Sequence, residues 1–244
     1  MPIHNLLKDT AHRPWPLPEK QWRYYQEWNS LLFLHWEADA AALEPFIPAG
    51  TTLDTFEGKA WLSIVPFTMQ KIRPKFLPSF KPVSDFHEIN VRTYVTKDGQ
   101  PGVFFFSIEA QKAVSAFLSR KLSGMPYEKA HIVRAVGGNE HQYYANNANK
   151  QFRLNVAFSV EKANTAKTAL DLFLTERYCV YITLDGLLYR YHVHHAPWPL
   201  HHITLKDLSL QYKAGHLSVT PDTPPALIHY SPGVKVVAWN KELA

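Results

Sequence analysis

One cysteine, Cys179, in 244 residues excludes an internal disulfide and a cysteine-rich zinc site. It falls in the apolar stretch from Tyr178 to Leu184, where a buried structural thiol is expected rather than a nucleophile. Long apolar runs are also missing. The opening residues, MPIHNLLKDTAHRPWPLPEK, interrupt every such run within a few positions, so neither a signal peptide nor a spanning helix is expected. A soluble cytoplasmic chain without a membrane partner follows as the expectation. No HExxH, no nucleophile elbow, no repeat of fixed period and no nucleic-acid-binding signature occurs. The formal net charge is +5 and the pI is near 9.1, yet bases are scattered among acids, which argues against a nucleic-acid partner.

What is present is a core. With 46% hydrophobic and 14% aromatic residues, the chain can bury a large interior. We expect one domain over residues 1–244, with a Pro- and Trp-rich leader, 1–27, packed on it. Short strand patterns dominate. Trp28 to Trp36 reads as a strand, and Asp39 caps a short helix, AAALEPFI. Leu53 to Phe56 and Ala60 to Met69 read as a hairpin about Glu57-Gly58-Lys59, with Trp61, Ser63, Val65 and Phe67 on one face. Gln70 to Pro82 carries three prolines and four bases without an acid, and reads as a long loop, solvated or acting as a lid.

Glu88 to Val95 and Val103 to Ile108 form a hairpin about Lys97-Asp98-Gly99, since Asp-Gly tolerates the positive φ of a tight turn. Apolar spacing then predicts a helix from Ala110 to Leu122, stopped by Gly124 and Pro126. Gly137 to Lys150 is polar and turn-rich, and strand pattern resumes at Phe152 to Val160. Arg177 to Leu184 and Leu187 to His195 flank Asp185-Gly186 as another hairpin, and Val234 to Trp239 is a closing strand. Alternation puts Asn90, Arg92 and Tyr94 on one strand face, as one wall of a pocket, and Glu109 ends the apolar run from Val103 to Ile108.

Several blocks occur in order: HW at His35-Trp36, LDTFEGKAWLSIVPFTM from Leu53, EINVRTYV from Glu88 and PGVFFFSIEA from Pro101. MPY at Met125, ERY at Glu176, HAPWPL from His195 and HYSPGV from His229 follow. This set resembles the YqjF-like uncharacterised proteins. The resemblance implies the acetoacetate decarboxylase-like fold: a β-rich α+β chain, an antiparallel β barrel or cone with a few short helices and an internal pocket. In true acetoacetate decarboxylases a Lys-Lys pair follows an acidic strand end, and its first lysine forms a Schiff base. Here Ser107-Ile108-Glu109 and Ser119-Arg120-Lys121 stand in the comparable places, with Arg120 at the first lysine's position and Lys121 at the second's. A guanidinium keeps its proton and is a poor nucleophile, so Arg120 cannot replace that lysine.

Two readings of the site stay open. In one, Lys121 takes over as nucleophile. In the other, Arg92 and Arg120 fork onto a carboxylate or enolate, with Glu109 as base or as the partner of an arginine, and with Tyr94 and Tyr127 as phenolic donors. YHVHHAPWPLHH puts His192 and His194 on one strand face and His195 on the other. A solvated face is expected for the first two, and no third metal ligand is evident. His195 is expected to line the pocket, and His229, beside Tyr230 and Ser231, is the general acid-base candidate. The expected partner is a small anionic or carbonyl-containing molecule; no cofactor is called for, and homo-oligomerisation stays open. The rival reading is a non-catalytic binding or scaffold protein whose polar residues satisfy one another.

Overall fold

Alternating apolar residues and tight turns make this chain a sheet protein. The computed structural model describes residues 2–214, 217–219 and 223–244, of which 118–122, 214 and 217–219 are described by their backbone only. In chain order the strands are β1 (Tyr24–Ala38), β2 (Thr52–Leu53), β3 (Ala60–Pro74), β4 (Phe86–Lys97), β5 (Gln100–Ala110), β6 (Tyr127–Lys129), β7 (His131–Gly137) and β8 (Glu140–Asn147). They continue as β9 (Phe152–Ala163), β10 (Cys179–Leu184), β11 (Leu187–His195), β12 (His201–Ala214), β13 (Leu217–Val219), β14 (Leu227–Ala238) and β15 (Glu242–Leu243). Short helices intervene: α1 (Ile3–Lys8), α2 (Ala40–Leu43), α3 (Lys81–Ser84), α4 (Ala113–Ser123) and α5 (Ala169–Thr175). Among the described residues, no helix is long and apolar enough to cross a membrane.

Seven strands run side by side in the order β11-β10-β5-β4-β3-β1-β14, and β14 pairs back onto β11 through Val193↔Ala238, His194↔Val237 and His195↔Val236. The strands therefore close a ring. Its one parallel seam joins β10 to β5 at Val180↔Val103 and Tyr181↔Phe104. Gly102 makes that seam possible, because a Cβ there would sit 2.8 Å from the Cys179 carbonyl and from the Tyr181 ring. From β14 the sheet continues through β12, β9, β8 and β7. Phe152, Leu154, Val156 and Phe158 of β9, with Tyr143 and Ala145 of β8, pack on Leu32, Leu34, Leu62, Ile64, Ile89 and Val91 of the ring. The opposite face carries Phe33, Val65, Phe67, Ile108, Val193 and Val236, and, beside them, Tyr94, Val103, Val180 and Leu174. Each fully buried aromatic or aliphatic side chain of these clusters contributes about 1.5–3 kcal/mol, so both faces of β1, β3 and β4 are anchored.

Both Asp-Gly hairpins form as expected: φ is +50° and +74° at Asp98 and Gly99, and +51° and +76° at Asp185 and Gly186. The Asp39 side chain accepts from the Ala41 N–H at 3.1 Å, capping α2. Cys179 is buried. Other expectations are corrected. Leu53 pairs with Val95 of β4, and only the bridge Phe56↔Lys59 spans the Glu57-Gly58 turn. The long loop is shorter than its prolines suggested, since β3 runs on to Pro74 against β1 and α3 starts at Lys81. Ala110 still pairs with Glu88, which delays α4 to Ala113. The polar stretch after Gly137 is strand β8, whose His141, Tyr143, Ala145 and Asn147 face inward while the intervening polar groups are solvated.

The leader lies against the ring. Leu6, Trp22 and Tyr25 cluster with Val237 and Trp239, and the buried Arg13 donates to the Val193 carbonyl at 2.8 Å. This covers His192 and His194, which are buried rather than solvated: His194 Nε2 lies 2.8 Å from the Leu6 carbonyl and His192 Nε2 lies 3.2 Å from Glu242.

Candidate functional site

Strand β4 lines its inner face with polar side chains where its neighbours place apolar ones. Glu88, Asn90, Arg92 and Tyr94 alternate with Ile89, Val91 and Thr93, and all are buried. Register sets their neighbours: Ser63 pairs with Arg92, Val65 with Asn90 and Phe67 with Glu88, while His35 of β1 pairs with Ser63. His229 enters from β14, opposite Phe33. The interior thus has a polar row across four strands.

At one end of this face the polar groups form a string. The Asp171 Oδ1 and His229 Nε2 atoms are 2.7 Å apart, His229 Nδ1 and His35 Nε2 3.3 Å, and His35 Nδ1 and Ser63 Oγ 2.6 Å. Ser63 Oγ is 2.6 Å from the Tyr94 hydroxyl, which donates to the Leu174 carbonyl at 2.9 Å. Helix α5 supplies both termini. Thr168 and Asp171 form a reciprocal capping box there, so the local sequence that starts the helix also orients the Asp171 carboxylate. Burial works against that carboxylate's charge, but the Thr168 N–H, the Thr168 hydroxyl and His229 outweigh it and hold its pKa below the usual value. Burial pushes His35 well below the ordinary histidine value, helped by His229 and Arg92. It lowers His229 too, against the pull of Asp171.

The rest of the face is less satisfied. The Arg92 guanidinium, 9% exposed, donates one N–H to the Leu174 carbonyl at 3.2 Å and lies 5.6 Å from the Phe33 ring centre. Its Nε and the Asn90 Oδ1 are buried without a hydrogen-bond partner. No carboxylate of the described residues comes within ion-pair distance of Arg92. Glu88, farther along, accepts from the Tyr127 hydroxyl at 3.2 Å, and burial without a cation pushes its pKa up to about 8. At neutral pH it is therefore a protonated acid.

The structure thus brings Asn90, Arg92, Tyr94, Tyr127 and His229 to the ring interior, and adds Glu88, His35, Ser63 and Asp171, which sequence reasoning missed. The signal for Glu88 is in the sequence, since it stands two positions before Asn90 on the same alternation. His195 is buried 4.9 Å from the Trp198 ring and 4.8 Å from Tyr178, and burial lowers its pKa to about 4. Glu109 faces the other way. It accepts from Asn147 Nδ2 at 2.7 Å, beside β8, because β5 turns Ile108 and Ala110 inward and Ser107 and Glu109 outward. It is thus not the carboxylate partner expected for Arg92. Arg120 and Lys121 belong to α4, and their side chains lie outside the described residues. Among the described residues no three His, Cys, Asp or Glu side chains converge as metal ligands. Two surface depressions, of about 390 and 360 Å³, lie elsewhere, beside β12 and under the leader.

Residues 25–235 match the family model DUF2071, described as an uncharacterized conserved protein. The chain belongs to this family. It is 33% identical over 226 residues to the uncharacterized protein YqjF of Bacillus subtilis (strain 168), covering 91% of this chain and 93% of that one. The DUF2071 chain is also similar to solved structures at low identity. An acetoacetate decarboxylase from Legionella pneumophila subsp. pneumophila str. Philadelphia 1 matches with a TM-score of 0.62 at 13% identity, over 96% of this chain and 93% of that one. The enduracididine biosynthesis enzyme MppR complexed with pyruvate matches with a TM-score of 0.60 at 14% identity, over 95% and 93%. At such identities the likeness establishes the fold alone: β-rich with few short helices, similar to acetoacetate decarboxylase-like proteins.

Proposed function

We propose that this chain binds a small carboxylate or carbonyl compound on the inner face of the ring, and acts on it without a Schiff-base lysine. In this reading the ring is a barrel or cone and its interior is the pocket. One observation carries it: Arg92 is buried with an unpartnered Nε and no carboxylate of the described residues beside it. An unpaired buried charge costs several kcal/mol, and a bound anion that takes both guanidinium edges offsets that cost. Asn90, also unpartnered, stands next to it to meet the ligand's second polar group. Glu88, protonated at neutral pH, and the His229–His35 pair supply proton donors and acceptors at either end. Similar folds that hold pyruvate or carry the name acetoacetate decarboxylase support the ligand class, since both compounds are small keto carboxylates.

The scaffold reading expects every polar group of the face to be paired, and Arg92 Nε and Asn90 Oδ1 speak against it. The deciding experiment is a thermal-shift screen with pyruvate, other keto acids, hydroxy acids and aromatic carboxylates, on wild type and Arg92→Gln. A ligand present well above its Kd raises the melting temperature by mass action, and the variant is expected to lose that rise. An equal rise in both proteins, or none in the wild type, overturns the proposal.

A further inference from the structure

The polar string inside the ring is one hydrogen short. In line it has five contacts and ends on an acceptor at each side, the Asp171 carboxylate and the Leu174 carbonyl; a sixth, from the Tyr94 hydroxyl to His35 Nδ1 at 3.4 Å, only bridges across Ser63 to a nitrogen already 2.6 Å from the Ser63 hydroxyl. Between them stand His229, His35, Ser63 and Tyr94. In their neutral forms each offers one hydrogen. Four hydrogens cannot fill five contacts, so at one of them two lone pairs face each other. The distances single it out: four contacts lie between 2.6 and 2.9 Å, and His229 Nδ1 to His35 Nε2 is 3.3 Å. The hydrogens are then assigned throughout. His229 Nε2–H donates to Asp171, His35 Nδ1–H to Ser63, Ser63 O–H to Tyr94, and Tyr94 O–H to the Leu174 carbonyl.

We infer that the gap between His35 Nε2 and His229 Nδ1 is a proton-binding site, and that the two imidazoles act as one acid-base couple taking up a single proton. The proton arrives from a hydronium ion, which leaves as water. It forms one N–H bond at either facing nitrogen, completes the fifth hydrogen bond and breaks no bond of the chain. A second proton is excluded, because it would make two imidazolium rings with centres 5.4 Å apart. The groups around the couple set its affinity. Asp171 on α5 favours uptake; Arg92 of β4, Lys167 ahead of α5 and His202 of β12 oppose it; the Arg177 guanidinium lies 4.8 Å from the Tyr94 ring centre. With burial added, uptake falls on the acid side of the ordinary histidine value.

The same count gives the string a second property. The vacancy moves to the Tyr94 end if His35 changes tautomer, Ser63 turns its O–H to His35, and Tyr94 keeps its bond to Leu174. In that change the His35 hydrogen passes from Nδ1 to Nε2, by uptake at one ring nitrogen and release at the other, and the row keeps the same number of hydrogens and the same charge. Tyr94 shares the Leu174 carbonyl with Arg92, so the string ends beside a guanidinium whose Nε has no partner. This inference does not depend on which anion, if any, Arg92 holds.

The test is nitrogen NMR of the full chain with isotope-labelled histidine, from about pH 8 down to about pH 4. The ring nitrogens of His35 and His229 are expected to move together through one common midpoint that accounts for one proton, with His35 as the Nδ1–H tautomer at neutral pH. Tyr94→Phe removes two of the five contacts in line, together with the 3.4 Å bridge to His35, but only one hydrogen, which leaves three donors for three contacts. That variant is expected to switch His35 to the Nε2–H tautomer and shift the common midpoint to lower pH. If it fails to fold, Ser63→Ala provides the same test, because it leaves two donors for the two contacts from Asp171 to His35. Two independent titrations, no titration of either ring while the protein stays folded, or one unchanged His35 tautomer in wild type and variant overturns the inference.

Discussion

The two ends of the β4 inner face are equally buried, yet one is satisfied and the other is not. At the Tyr94 end, α5 brings a carboxylate, a carbonyl and, through β14, a second imidazole, and a continuous string results. At the Glu88 end, the facing residues are Val65, Phe67 and Ile108, so Asn90 and Arg92 keep unpartnered atoms and Glu88 keeps its proton. Identical alternation along one strand therefore yields a rigid network or a set of open valences. What lies opposite decides which, and the open end is where a ligand gains most.

Glu88→Gln should give the largest change. The folded-state pKa of Glu88 is raised to about 8 from 4.5, so between those values the folded protein holds a proton that the unfolded chain has lost. Wild-type stability therefore falls as pH rises through this window. The variant lacks that contribution, and at about pH 8 it should exceed wild type by on the order of 3 kcal/mol, read from urea midpoints at both ends of the window. A parallel pH dependence in the two proteins would mean that Glu88 is ionised after all. Asp171→Ala attacks the satisfied end. It removes both the α5 capping box and the partner of His229, for a loss of about 3 kcal/mol by chemical denaturation.

Arg92→Met sharpens the contrast, because removing a partly satisfied buried charge should leave stability unchanged or raise it by about 1 kcal/mol. A loss of several kcal/mol would instead place Arg92 in the structural network. The smallest effect is expected at Glu109→Gln. The new amide oxygen still accepts from Asn147, so at about pH 5 stability should change by less than about 1 kcal/mol.

How far the sequence could be read follows from the range of each signal. The turns at Asp98-Gly99 and Asp185-Gly186, the cap at Asp39 and the shared face of Asn90, Arg92 and Tyr94 were legible because each rests on a few neighbouring residues. The expected Glu109–Arg92 pair did not form, since Glu109 lies opposite Ile89 in the β4–β5 register and faces β8, while Arg92 points to the other side of β4. Leu53 found β4 instead of its sequence neighbour, and β8 was hidden in polar sequence because only alternate positions are buried.

By itself the sequence determined which residues turn the chain, which strands alternate and which polar side chains share a strand face, since two-residue periodicity and positive φ are properties of the local backbone. The tertiary structure decided their partners. His35 meets His229 across 194 positions, Asp171 reaches His229 across 58, and Tyr94 reaches the Leu174 carbonyl across 80. The first contact exists because β14 pairs along β1, and the other two because α5 packs its Leu174 beside Tyr94, arrangements that depend on packing across the whole sheet and leave no mark in any short stretch of chain.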